Sequence, residues 1–586
     1  MKTYYTNERN AQILISLLKE HHIRRIIASP GTTNVCLLAS LQQDSYFKIY
    51  SSVDERSAAY IACGMAAETG EPVALSCTGA TASRNYAPGL TEAYYRKLPV
   101  LAITSSRPNS QIGHNIPQVT DRCSPMPDMV KLSVQMPVIR CMEDEWDCEI
   151  KANQAILELT RHGGGPVHIN LITEYSADFT IKELPKTRVI NRFTGYDMLP
   201  MITANQVGIF VGAHQRWEEK LTETVDRFCE RYNGVVLCDA TSNYHGKYGV
   251  MANLVANQWQ HDAPCKHMDL IIHLGDISGA YMDVHAKQVW RVNPDGEIRD
   301  PFRTLRYVFE MEELEFFSCY LNGESMKQDE LYFCEEWKQE YSRFLSAAQA
   351  KEDDIPFSNV WIAMNTMPNL PQGSALHLGI LNSLRSWNYF ALPEKVLGYC
   401  NTGGFGIDGG VSALLGAALV RSEKLTFGVV GDLAFFYDLN ALGNRHMPSN
   451  FRLLLINNGR GQEFRNKDNL AYRAGLGDRT DDFIAAAGHF GYQSPELVKN
   501  FAQDLGFEYM TASNKEEFLH CMKRFVTPEI TKSPMLLEAF TQTDQERDAL
   551  QIFRSLEATA QGKAKQLARD VLGSKNIQAI KNIIKK

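Results

Sequence analysis

Two apolar runs late in the chain end on small or oxygen-bearing residues. "FGVV" at 427–430 stops at Gly431 and Asp432, and "FRLLLINN" at 451–458 stops at Asn457 and Asn458. Beyond Asp432 the spacing turns helical through "LAFFYDLNAL". The same alternation of short β-branched or leucine-rich runs with longer helical patterns fills the first third. There "IRRIIASPG", "FKIYSSVDE", "PVALSCTG", "PVLAITSSRP" and "PVHINLI" read as strands, and "ERSAAYIACGMAAETG" and "APGLTEAYYRKL" as helices. Strands separated by helices of this length pair in parallel and make a doubly wound sheet. Several end in Gly, Ser or Thr at the carboxyl edge, where open α/β sheets bind ligands.

A polar stretch after residue 186 separates this unit from a second strand set, "QVGIFVGAH", "GVVLCDATS", "DLIIHLGD" and "QVWRVNPD". A charged helical stretch follows, and a third α/β unit runs from "SALHLGILNS" to "SPMLLEAF". The pattern predicts an α/β chain with three doubly wound parallel sheets, in domains 1–186, 187–350 and 351–540. A helical C-terminal extension, 541–586, follows, with apolar positions at Leu550, Phe553, Leu556, Leu567, Val571, Ile577, Ile580 and Ile584. The first and third units are similar in size and pattern, as if one sheet were used twice.

With 586 residues, 44% of them hydrophobic, the chain is too long for one core. The net charge of -8 argues against general binding to nucleic acid or anionic lipid. The 13 cysteines, among them Cys36, Cys63, Cys77, Cys238 and Cys400, form no C-x-x-C pair and read as reduced, buried thiols. The first residues lack an apolar leader, and no run approaches the about 18–20 residues of a membrane span, so a cytoplasmic protein is expected.

Asp432 offers a hard oxygen beside a glycine, Asn458 a neutral one, and the "GRG" that follows can turn the Arg460 carbonyl toward the same point. Mg²⁺ takes about six oxygens, commonly one or two carboxylates plus substrate phosphates. Asp432, Asn458 and the Arg460 carbonyl would make half such a shell. Equally, Asp432 would serve as the cap of the helix it precedes.

The spacing G-D-x-x-F…D-L-N-x-L followed by N-N resembles the diphosphate and metal motif of thiamine-diphosphate-dependent enzymes, the acetolactate-synthase-like superfamily. Within it, the chain resembles the menaquinone-pathway synthases that make 2-succinyl-5-enolpyruvyl-6-hydroxy-3-cyclohexene-1-carboxylate. The resemblance spans roughly residues 8–540. It is carried by "DERSAA" at 54–59, Arg107 with Pro108, Gln118 with Asp121, "GIDGG" at 406–410, "GDLAFFYDLNAL" at 431–442 and "NNGRGQEF" at 457–464.

The resemblance implies a pyrimidine-binding first domain, a central domain and a diphosphate-binding third domain. It implies thiamine diphosphate and Mg²⁺ as cofactors and Glu55 as the catalytic carboxylate on the aminopyrimidine ring. Thr81, Gly406, Gly431, Leu433, Ala434 and Gln462 would line the cofactor with Asp432 and Asn458, and Ile407 would wedge beneath its two rings. Decarboxylation of a 2-oxo acid would be followed by transfer of an acyl-anion equivalent to an acceptor. Glu55 of one subunit would face the diphosphate site of another, making a homodimer the minimum unit and a homotetramer a common assembly.

On the substrate side Arg107, Gln118 and Arg385 match the family, Arg291 loosely so. Thr33 and Thr402 stand where it places arginines, which removes two carboxylate forks. His114 stands single where pyruvate-decarboxylase relatives use a pair. "NPDG" at 293–296 and "DPF" at 300–302 resemble the central domain, without implying a flavin. Alternatives are a decarboxylase or lyase without an acceptor, authentic synthesis of the menaquinone intermediate, and a catalytically silent scaffold.

Overall fold

A computed structural model describes residues 4–121, 124–280, 282–322, 332–488 and 494–559. The described residues pack as two compact units, those within 1–194 and 296–308, and those within 195–295 and 309–586.

The first unit holds strands β1 (Arg25–Ala28), β2 (Lys48–Ser51), β3 (Val73–Thr78), β4 (Val100–Ser106), β5 (Leu132–Met136) and β6 (Val167–Ile172). Their order is β2-β1-β3-β4-β6-β5, all parallel. Both faces are covered, which is why β3, β4 and β6 are buried almost throughout and rich in Val, Leu and Ile. Leu14, Leu18, Ala152 and Ile156 of helices Arg9–Glu20 and Met142–Glu158 lie in one core. Ala58, Ala62 and Leu90 of helices Glu55–Thr69 and Ala87–Tyr95 lie in the other. β5 has no counterpart in the apolar pattern, because "LSVQM" is only half-buried at the sheet edge. A short strand, β7 (Asn191–Thr194), follows.

Residues 296–308 return to this unit although their sequence resembles a central domain. Asp300 explains the return. Its side chain is fully buried and accepts hydrogen bonds from Trp146 Nε1 (2.9 Å) and Arg188 Nη1 (2.6 Å).

Strand order reverses between β1 and β3, the place where ligands sit in such sheets. The loops there are locked together: a Cβ at Gly31 would fall 1.5 Å from Thr78 Cγ2. Gly31→Ala is expected to destabilise the protein by about 2 kcal/mol through forced displacement of the loop, read as a lower midpoint in denaturant titration.

In the second unit β8 (Val207–Val211), β9 (Gly234–Cys238), β10 (Gly249–Met251), β11 (His267–Leu274) and β12 (His285–Val292) run parallel in the order β10-β9-β8-β11-β12. After β13 (Leu305–Glu310) come β14 (Ala375–Leu378), β15 (Leu397–Cys400), β16 (Thr426–Gly431), β17 (Phe451–Asn457), β18 (Glu508–Ala512) and β19 (Met535–Phe540). Their order is β15-β14-β16-β17-β19-β18, again all parallel. Counted from their own first strands, this sheet and that of the first unit have the same order. The helix Gly410–Val420 packs Val411 and Leu414 with Val430 and Leu453 in the core of this sheet.

Of the expected C-terminal extension, Thr543–Phe553 is helical, with Leu550 and Phe553 buried. Leu567, Val571, Ile577, Ile580 and Ile584 lie outside the described residues. No described helix is long and apolar enough to cross a membrane.

Candidate active site

The two strand tips are neighbours. β16 pairs with β17 so that Gly431 lies opposite Ile456, which brings Asp432 beside the end of the next strand. Asp432 is 4% exposed. One carboxylate oxygen accepts the N–H of Leu433 and the other the N–H of Gly459, both at 2.8 Å. The capping alternative is thus replaced by a tie between tips: Gly431 is the N-cap of helix Asp432–Tyr437, and Asp432 joins it to the loop after β17.

Burial pushes the Asp432 carboxyl up to about 7, in spite of its two N–H donors. No lysine or arginine among the described residues pairs with it. Asn458, also buried, accepts the Arg460 N–H at 3.2 Å and so holds the following turn. The Arg460 guanidinium is held by Asp481 at 2.8 Å. Gln462 is buried, donates to the Thr543 carbonyl at 3.2 Å, and leaves its Oε1 without a partner.

A carboxylate, an amide oxygen and a turn carbonyl, with no thiol or imidazole, are the donors Mg²⁺ prefers. A buried carboxylate with no cationic partner is where a divalent ion would balance charge. The residues present fit the ion. A Cβ at Gly431 would meet nothing within 4 Å, so the backbone there is open to close approach. Leu433 and Ala434 are half-buried in the same helix, Ile407 is half-buried, and Gly406 is exposed in the loop after β15.

In the first unit Glu55 opens the helix Glu55–Thr69, but the cap belongs to Asp54, whose carboxylate accepts from the N–H groups of Arg56 and Ser57. Glu55 is left to project, partly buried, and its Oε2 accepts from Asn85 Nδ2 at 3.1 Å. Thr81 is exposed and starts the helix Thr81–Asn85, after Ala80 in the left-handed region (φ 60°).

Thr33 is buried and donates to the Ser105 carbonyl at 2.6 Å. Arg107 is exposed, donates from Nε to the Tyr175 hydroxyl at 2.9 Å and stacks 4.9 Å from its ring centre. Gln118 is exposed with left-handed backbone (φ 62°), on the loop that also exposes His114.

Three substrate-side positions of the second unit look different in three dimensions. Arg385 is gripped by Glu463 through two bonds, 2.7 and 3.2 Å. Thr402 is 5% exposed, behind Gly279, where an added Cβ would lie 2.9 Å from its methyl. Arg291 is fully buried in β12 and donates to the His273 carbonyl at 3.4 Å, the position of a core side chain.

Nothing in the sequence marks Glu463 as the partner of Arg385, 78 positions away. Glu546 carries no local signal either. It is fully buried on the helix Thr543–Phe553 and accepts from the Asn359 N–H (2.9 Å) and from Asn382 Nδ2 (3.4 Å).

Burial raises the Glu546 carboxyl from the ordinary 4.5 to about 7, and the Asp432 charge adds to the rise. A folded value above the unfolded one gives stability that is present below about 4.5 and is lost as pH rises through 7. Glu546→Gln is therefore expected to match the parent near pH 5 and to exceed its stability by about 2 kcal/mol near pH 8, as read by chemical denaturation at the two pH values.

The family described as "Thiamine pyrophosphate enzyme, N-terminal TPP binding domain" matches residues 9–124. A protein of Phocaeicola vulgatus named 2-succinyl-5-enolpyruvyl-6-hydroxy-3-cyclohexene-1-carboxylate synthase is 31% identical over 579 residues, covering 93% of this chain and 97% of its own. Proteins of the same name from Bacteroides fragilis (30% identity, 92% of this chain and 98% of the relative) and Cytophaga hutchinsonii (26%, 93% and 98%) align along nearly the same length.

Proposed function

The chain belongs to the thiamine-pyrophosphate-dependent enzyme family that includes these synthases, and from that premise we propose that it decarboxylates a 2-oxo acid and transfers the acyl-anion equivalent to an acceptor, using thiamine diphosphate and Mg²⁺. The observation that carries the reading is the buried Asp432 carboxylate joining two strand tips beside Asn458.

Bound thiamine diphosphate supplies carbanion stabilisation at its thiazolium carbon. Asp432, the Asn458 side chain and the Arg460 carbonyl would hold Mg²⁺, and Gly431, Leu433, Ala434 and Gln462 would border the diphosphate. Ile407, with Gly406 beside it, would keep the two rings bent toward each other, and Thr81 would border the pyrimidine. Glu55, steadied on one oxygen by Asn85, has its other oxygen for a ring nitrogen and would hold and release the proton there. We assign residues 1–186 to pyrimidine binding, 187–350 to the central domain and 351–540 to diphosphate binding. Sites are completed between subunits of a cytoplasmic homodimer or homotetramer.

Arg107 and Gln118 would meet substrate from the first domain, Arg385 and Thr402 from the third, and Thr33 would shape the pocket without charge. Two threonines in place of arginines remove roughly 1.5–3 kcal/mol each of charge-assisted carboxylate binding. On this reading the acceptor, the donor or both differ from those of the synthesis for which the relatives are named. Product analysis tests the reading: holoenzyme given pyruvate or 2-oxoglutarate with acceptor candidates is expected to form a new C–C bond. Release of free aldehyde alone would exclude transfer.

A further inference from the structure

The second unit contains a cavity of about 680 Å³ whose wall includes Arg385, Glu463, Asp468, Arg554, Trp259 and Phe405. Cavities of this size suit small-molecule ligands. Its charges are already paired. Arg385 and Glu463 lie fork to fork. Arg554 Nη1 meets Asp468 at 3.1 Å. A third carboxylate in the wall, Asp283, is met by Lys266 at 3.0 Å. An incoming carboxylate would have to displace Glu463 from Arg385 while facing two further negative groups. Unpaired buried charge is costly, so this wall discriminates against anions.

The pairs nonetheless retain hydrogen-bonding capacity. A guanidinium has five N–H donors and a carboxylate about four acceptor sites, so each pair keeps both kinds spare. Hydroxyl groups, donors and acceptors at once, suit such a wall. Trp259 and Phe405 add flat apolar faces. Phe405 is 45% exposed and held in the left-handed backbone region (φ 53°), which a bulky residue adopts only under constraint.

We propose that this cavity binds an uncharged, polyhydroxylated ring, of the sugar or cyclitol class, as the acceptor, and that Glu463 sets this preference by neutralising Arg385. The assignment as acceptor rests on the function proposed above, since Arg385 borders the cavity and Thr402 stands behind its Gly279.

The test is calorimetric titration of the full-length holoenzyme with methyl α-glucoside and with methyl α-glucosiduronate, which has a carboxylate in place of one hydroxymethyl group. The neutral ring is expected to bind at least about tenfold more tightly, and Glu463→Gln to reverse the order by releasing Arg385. Tighter binding of the uronate to the unmodified protein overturns the proposal. So does absence of binding of either ring at tens of millimolar, or an unchanged order in a folded Glu463→Gln protein. Carbon dioxide release from 2-oxo acids, followed in the same preparation, separates the two readings. Decarboxylation with no neutral-ring binding sinks only the acceptor class, and neutral-ring binding without decarboxylation sinks only the enzymatic function.

Discussion

Glu55→Gln is expected to lower 2-oxo-acid decarboxylation by about 10²–10⁴-fold, the range typical of a positioned acid–base group, while cofactor affinity stays within a few fold. The substitution keeps size and the hydrogen bond from Asn85, because a glutamine oxygen still accepts from that amide. It removes the charge and the ability to hold a proton. Asp54 continues to cap the helix, so the fold is untouched. Steady-state carbon dioxide release and calorimetry with thiamine diphosphate together make the check. A near-parental rate would remove Glu55 from the proton path, and a large loss of affinity would make it a binding residue instead.

Asp432→Ala is expected to weaken thiamine diphosphate binding in Mg²⁺ by about a hundredfold or more, about 2.7 kcal/mol. Two losses combine. The one buried carboxylate of the oxygen cluster disappears, and the N–H groups of Leu433 and Gly459 lose their shared acceptor, which frees the tip of β16 from the loop after β17. Asp432→Asn separates them: an amide oxygen keeps one N–H partner and removes the charge. A thermal-shift series measures both, since a ligand that binds only the native state raises the melting temperature with its concentration. The parent is expected to gain several degrees with cofactor and Mg²⁺ together and Asp432→Ala almost none. An equal gain in both would move the metal elsewhere.

Much of the fold is legible in the chain because buried parallel strands carry unbroken apolar runs, as "VLAI" in β4 and "LLLI" in β17 show. β5 is not, since a half-buried edge strand mixes Ser and Gln with its apolar residues. Nor is the return of residues 296–308 to the first unit, which depends on Asp300 meeting Trp146 and Arg188 more than a hundred positions away. At the candidate site the residue types on the strand tips carry their own chemistry, so Asp432 and Asn458 stand out locally. The state of Arg385 does not. Whether an arginine is available to a ligand or already held by Glu463 is decided by tertiary contact. Arg291 teaches the same lesson, since an arginine inside a sheet and one lining a pocket look alike in a string of letters.

The strand order shared by the first and third sheets is the pattern that duplication of one unit would leave. Thr81 follows the third strand of one copy as Asp432 follows that of the other, and Arg107 and Asn458 come just after the respective fourth strands. A duplicated scaffold would let equivalent loops diverge without compromise: on the proposed function, one copy would handle the proton while its twin would carry the ion. Grafting acidic ligands back into the loop after β3 would then ask whether ancestral symmetry is still accessible.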